Sequence, residues 1–183
     1  MKKMFGCLLA IILFTVFTAS PAVFASNIDP SDAESVMALI EKTNGEIDDL
    51  IEQAAAEADK LEKKYTEDTN KTQKEAESLE LEIEVLNSEL SDADPKEYEK
   101  IANKIEKLTD KRSKESEKLA RIQDKFDREL DELIESLLTI TNEMSAETIA
   151  KAAEKGVIVE CTWVLVELGG RMVWVDPLKV VGP

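Results

Sequence analysis

The chain has 183 residues, with 39 Asp or Glu against 23 Lys or Arg, and no His at all. The missing His excludes the usual general base, the Ser-His and Cys-His nucleophile pairs and most catalytic zinc sites together. A net charge of −16 repels phosphate backbones and anionic lipid headgroups, so nucleic acid is not an expected partner.

Lys2 and Lys3 give a basic start, and Gly6 to Phe17 is almost unbroken apolar sequence. Ser20-Pro21 ends the run, and Val23-Phe24-Ala25 supplies the modest residues of a cleavage site. Residues 1–25 therefore read as a secretory signal peptide, with export to a periplasmic or extracellular space. The minor alternative is an uncleaved N-terminal membrane anchor. Cleavage removes two lysines and moves the net charge to −18. It also removes Phe5, Phe14, Phe17 and Phe24, leaving Tyr65, Tyr98, Phe126, Trp163 and Trp174 as the aromatics. Five rings are too few for an ordinary globular core of this length.

Residues 26–144 are predicted to form a long antiparallel α-helical coiled-coil hairpin. Between Ser31 and Lys155 there is one Gly (Gly45) and one Pro (Pro95), and Ala, Glu, Lys, Leu and Ile fill most of the rest. Ser31-Asp-Ala-Glu34 behind Pro30 has the form of a capping box. Apolar or small residues recur at steps of three and four, as in Val36, Ile40, Thr43, Ile47, Leu50, Ala54, Ala58, and again in Leu130, Leu133, Leu137, Ile140, Met144. Such a narrow stripe flanked by Glu and Lys is a helix–helix seam. The turn falls near 91–95, where Asp94 caps a second helix with Pro95 in its first turn. Two arms of this length run about 90 Å each. Reflection about residues 92 and 93 sets Ile83 near Ile101, and Ala54 and Ala58 opposite Leu130 and Phe126. It also sets the polar stretch Thr66–Thr72 opposite the polar stretch Arg112–Lys118.

Residues 145–156 are either a short separate helix, with Ser145 as its cap, or the end of the second arm. Gly156 closes it. From Val157 the composition turns β-branched and aromatic, and residues 157–183 are predicted to fold as a three-stranded antiparallel β meander. Its strands are Val157–Leu168, Arg171–Val175 and Leu178–Val181, with turns at Gly169-Gly170 and Asp176-Pro177. The fold class is thus mostly α with a small β module. In the first strand Val159, Cys161, Trp163 and Leu165 share one face, and Ile158, Val164, Val166 and Leu168 the other. Both faces are apolar, and so small a sheet is only marginally stable alone. Self-association as a dimer or trimer, or a protein partner, is the expected cover.

The candidate contact residues are Cys161, Trp163, Arg171 and Trp174. Cys161 is the one cysteine left after cleavage, so it forms no internal disulfide; it is a small apolar core residue or a link between chains. Arg171 beside Trp174 would present a cation and a ring to a ligand, but paired Trp residues more often pack as core, with Arg171 a solubilising charge at the strand edge. No carboxylate pair stands out as general acid and base, and there is no calcium loop or phosphate cradle. No enzyme, cofactor, metal or small-molecule substrate is expected.

The function this outline supports is that of an exported structural spacer, scaffold or protein–protein interaction module of the cell envelope. In outline the chain also resembles the Skp/OmpH family of periplasmic holdase chaperones, which combine a signal peptide, an α-hairpin and a small β body. That resemblance implies a trimer and unfolded clients. The family has a strand before its first helix, where Ser26–Pro30 is short and polar, and its arms are basic where these are acidic. Exported coiled-coil regulators of cell-wall hydrolases share the outline too, with a larger second domain.

Overall fold

The computed structural model describes residues 29–182, so the segment 1–25, expected to be a signal peptide or an N-terminal anchor, lies outside the described residues. Helix α1 spans Pro30–Leu90 and helix α2 spans Pro95–Glu154, packed antiparallel along their length. Strands β1 (Ile158–Cys161), β2 (Val164–Leu168), β3 (Arg171–Val175) and β4 (Leu178–Gly182) follow.

Each helix end has an identifiable cause. Asp29, rather than Ser31, caps α1: its carboxylate accepts from the Ser31 N–H at 2.9 Å, and Pro30 takes the first helical position. Asp94 does the same for α2, accepting from Lys96 and Glu97 N–H at 2.8 and 3.0 Å ahead of Pro95. At the far end of α2, Gly156 takes a φ of +75°. Its N–H donates to the Ala153 carbonyl and that of Val157 to the Ala152 carbonyl, while Ala152 and Val157 share one buried cluster. This is a Schellman closure with its hydrophobic contact. Residues 145–154 are therefore the end of the second arm. Ser145 is no cap: it is buried, and its hydroxyl donates to the Asp176 carbonyl at 2.9 Å.

The seam follows the predicted stripe along α1, where Val36, Ile40, Thr43, Ile47, Ala54, Ala58, Thr72 and Leu86 are buried. On α2 it departs near the base. Ile140 is exposed, and the buried line runs Leu137, Thr141, Ser145, Thr148, Ala152. Small residues win these places because α1 and the β module both press on this part of α2. Thr141 satisfies its hydroxyl on its own helix, at the Leu137 carbonyl, and Thr148 meets Thr43 at 2.8 Å.

The arms also sit further along one another than simple reflection implies. Thr43 meets Thr148 rather than Asn142, and Tyr65 bonds Gln123 at 2.6 Å rather than meeting Ala120. Helical side chains lean toward the N-terminus of their own helix, which is the base for α1 and the tip for α2. Contacting residues are therefore offset in that direction. One result is that Arg112–Lys118 lies beside Glu75 and Glu80, so the two polar stretches are staggered instead of facing.

The β module differs from a meander. It forms two two-stranded antiparallel sheets, β1 with β4 and β2 with β3. Cys161 pairs with Leu178 and Val164 with Val175, so the two ladders share one register. The Thr162 N–H donates to the Pro177 carbonyl between them. The module is thus one long hairpin, kinked at Thr162-Trp163 and Asp176-Pro177. Pro177 has no N–H to give the ladder, so it interrupts pairing, and the chain continues in its original direction instead of reversing.

Candidate interaction surface on the β module

The hairpin lies against the base of the rod, with β2 and β4 beside α1 and β1 and β3 beside α2. Two buried clusters hold it there. Leu168, Val173 and Val175 join Ile47, Ala54, Ala58, Leu130 and Leu137. Val157, Val159 and Leu178 join Val36, Ile40 and Ala152. Gly169, at φ +55°, allows the β2–β3 turn to approach the helices: a Cβ there would stand 3.0 Å from a Leu130 methyl.

Polar contacts fix the placement. The Asn44 side chain donates to the Leu178 carbonyl at 2.9 Å and accepts from the Leu178 N–H at 2.8 Å, clasping β4 to α1. Arg171 reaches from β3 to α2, bonding Asp127 at 2.9 Å and also Asp131. Hydrogen bonding from Gln123, and then from Arg171, holds the Asp127 carboxyl below its ordinary value. Arg171 is therefore a strut between sheet and helix, and not the solubilising edge charge expected from the sequence.

The kink decides which side chains face out. Val159 and Cys161 point toward the helices in β1, but in β2 the inward positions are Val166 and Leu168. Period-two alternation carried through Thr162 puts Trp163 and Leu165 in the core; the break reverses the phase and turns both outward. Trp163 is 64 % exposed, Trp174 53 %, Met172 59 % and Leu165 42 %. The two indoles meet edge to face with centroids 6.5 Å apart. The Trp pair is thus a surface feature, where the sequence reading preferred core filler. Ile158 and Val181 are also exposed, on β1 and β4, but the exposed cross-strand residues Glu160 and Lys179 separate them from the Trp pair. An antiparallel sheet with one packed face ordinarily carries polar residues on the other. On the outer face of β2–β3 the sole charged residue is Glu167.

Cys161 sits on the inner side, half-buried beside the Val157–Leu178 cluster. Burial, and then the Asp176 carboxylate, push its thiol above the ordinary value. Neither position nor ionisation suits it to link chains. Asp176 itself is raised by desolvation, and its Oδ1, like the Thr162 hydroxyl, is buried without a partner at the kink.

Away from the base, the arms carry exposed ion pairs such as Glu82–Lys104 at 2.8 Å and Glu75–Lys118 at 3.3 Å. Leu81, Val85 and Tyr98 are exposed toward the tip. Among the described residues no helix is long and apolar enough to cross a membrane, and no group of three or more His, Cys, Asp or Glu is placed to hold a metal ion. Comparison of the chain with protein-family models, with curated proteins and with solved structures finds no match.

Proposed function

We propose that the chain is an exported, non-catalytic spacer or scaffold of the cell envelope, which docks through its β base and carries its tip about 90 Å away. The observation that carries this reading is the segregation of surface chemistry. Exposed large apolar side chains gather on the outer β face, while the middle of the rod shows solvated Glu, Lys and Arg. A contiguous apolar patch of this kind on an otherwise acidic surface is the mark of a contact site. The holdase reading has less support, because the arms of that family are basic and these arms are acidic.

Photo-crosslinking in living cells tests the proposal. A crosslinker at position 174 is expected to capture protein strongly, one at position 85 more weakly, and one at position 114, in the middle of the rod, hardly at all. Equal capture at 114 and 174 would contradict a spacer with a dedicated docking end.

A further inference from the structure

We infer that the partner seated on the outer β2–β3 face is a second copy of this chain, bound face to face through Trp163, Leu165, Met172 and Trp174. The inference deepens the docking reading above and rests on it.

Area is the first argument. At 64 % and 53 % exposure the two indoles present about 290 Å², taking about 250 Å² for a whole Trp. With Leu165 and Met172 the patch reaches roughly 500 Å², as large as the largest patch on a typical monomer. Two such patches pressed together remove about 1,000 Å² from water, the lower bound for a specific interface. One copy thus supplies enough surface for a second and leaves no large remainder.

The chemistry of the patch is the second argument. Its complement must be flat, apolar and aromatic, with few charges, and the same face on another copy meets that description. A two-fold arrangement makes this self-match sufficient, because each residue set meets its own counterpart. Edge-to-face indoles have open faces on which a second pair stacks. The kinked hairpin, two strands wide and bare on one side, also gains the second layer that so small a sheet lacks.

The charge balance fixes a signature. Two chains that each carry a net charge of −16 over the full sequence repel one another, and the patch holds no cation to offset that. Salt screens the repulsion and leaves apolar burial untouched. Self-association is therefore expected to strengthen as sodium chloride rises, opposite to docking driven by ion pairs.

Sedimentation equilibrium on the protein, in the form in which cells accumulate it, tests this. The expected result is a monomer–dimer equilibrium in the micromolar range, given an interface of minimal size. It should tighten several-fold between low and high salt. W163A and W174A should each weaken it more than tenfold, with helix content by circular dichroism unchanged because both rings are on the surface. L81A, near the tip, should leave it unchanged. A chain that stays monomeric at about 100 μM, a dimer indifferent to both Trp substitutions, or a dimer that salt dissociates would each overturn the inference. So would a monomer that instead binds vesicles of zwitterionic lipid through Trp174. Capture of a different protein at position 174 by a strictly monomeric chain would remove the second copy and leave the docking reading standing.

Discussion

The two ends of this rod are held by different physics. Toward the tip, the arms touch through a thin line of apolar residues, with Leu86 and Leu108 buried and long ion-paired side chains around them. Toward the base, each helix is pressed by its partner and by a β-hairpin, and small or hydroxylic residues (Thr43, Ala54, Ala58, Thr141, Ser145, Thr148) are buried there beside Ile47, Leu130 and Leu137. Tip-side stability is spread over many weak, exposed contacts. Base-side stability is concentrated in a few that cannot be replaced. The contrast teaches where a mutation should be felt.

That contrast can be broken most severely at Leu130. It is fully buried and touches the β2–β3 turn, so Leu130→Ala should cost about 3–4 kcal/mol in a urea titration. Next comes Asn44→Ala, which strips both backbone partners from Leu178. A loss of about 2 kcal/mol is expected, with faster hydrogen exchange confined to β1 and β4. Gly169→Ala forces a Cβ into the left-handed region against Leu130 and should cost about 1–2 kcal/mol by thermal melting.

Asp176 gives a smaller effect whose sign depends on pH. Desolvation raises its folded value above the unfolded one, so the native state holds the proton more tightly. Its favourable contribution is complete below the unfolded carboxylate range and is lost as pH rises through the folded value. Asp176→Asn should therefore stabilise the protein at neutral pH, and that advantage should shrink as pH falls through the raised folded value and be gone below about pH 4. An equal gain at every pH would show that charge burial is not the cause. The smallest effect belongs to the arms. Lys118 pairs with Glu75 and Glu115 in solvent, and Lys118→Ala should change stability by no more than about 0.5 kcal/mol.

The long-range plan was legible because it rests on local signals. Asp94-Pro95 marks the turn, Gly156 the end of α2, and the three-four stripe the seam. Three features were hidden because each depends on an interaction that no local pattern carries. Pairing of β1 with β4 joins residues at opposite ends of the hairpin, and Asp176-Pro177 has the composition of a reversal although Pro177 only interrupts a ladder. The outward turn of Trp163 follows from a phase change at Thr162, which alternation alone does not announce. The exposure of Ile140 in favour of Thr141 follows from the third body packed on α2. The spacing Thr141, Ser145, Thr148, Ala152 is the signal that was present and could have revealed it. Of the contact residues, Trp163 and Trp174 do meet on one face, whereas Arg171 is tied to α2 and Cys161 faces inward.

The central claim is that the outer face of the β-hairpin is bare on a single chain, with both indoles in solvent. Acrylamide quenching of tryptophan fluorescence tests it most directly, at a dilution where light scattering gives the mass of one chain. The account predicts quenching at more than about half that of free tryptophan, in keeping with exposures of 64 % and 53 %, and protection as concentration rises. Two indoles already shielded in the dilute monomer would contradict it, because the kink at Thr162 would then not turn Trp163 outward.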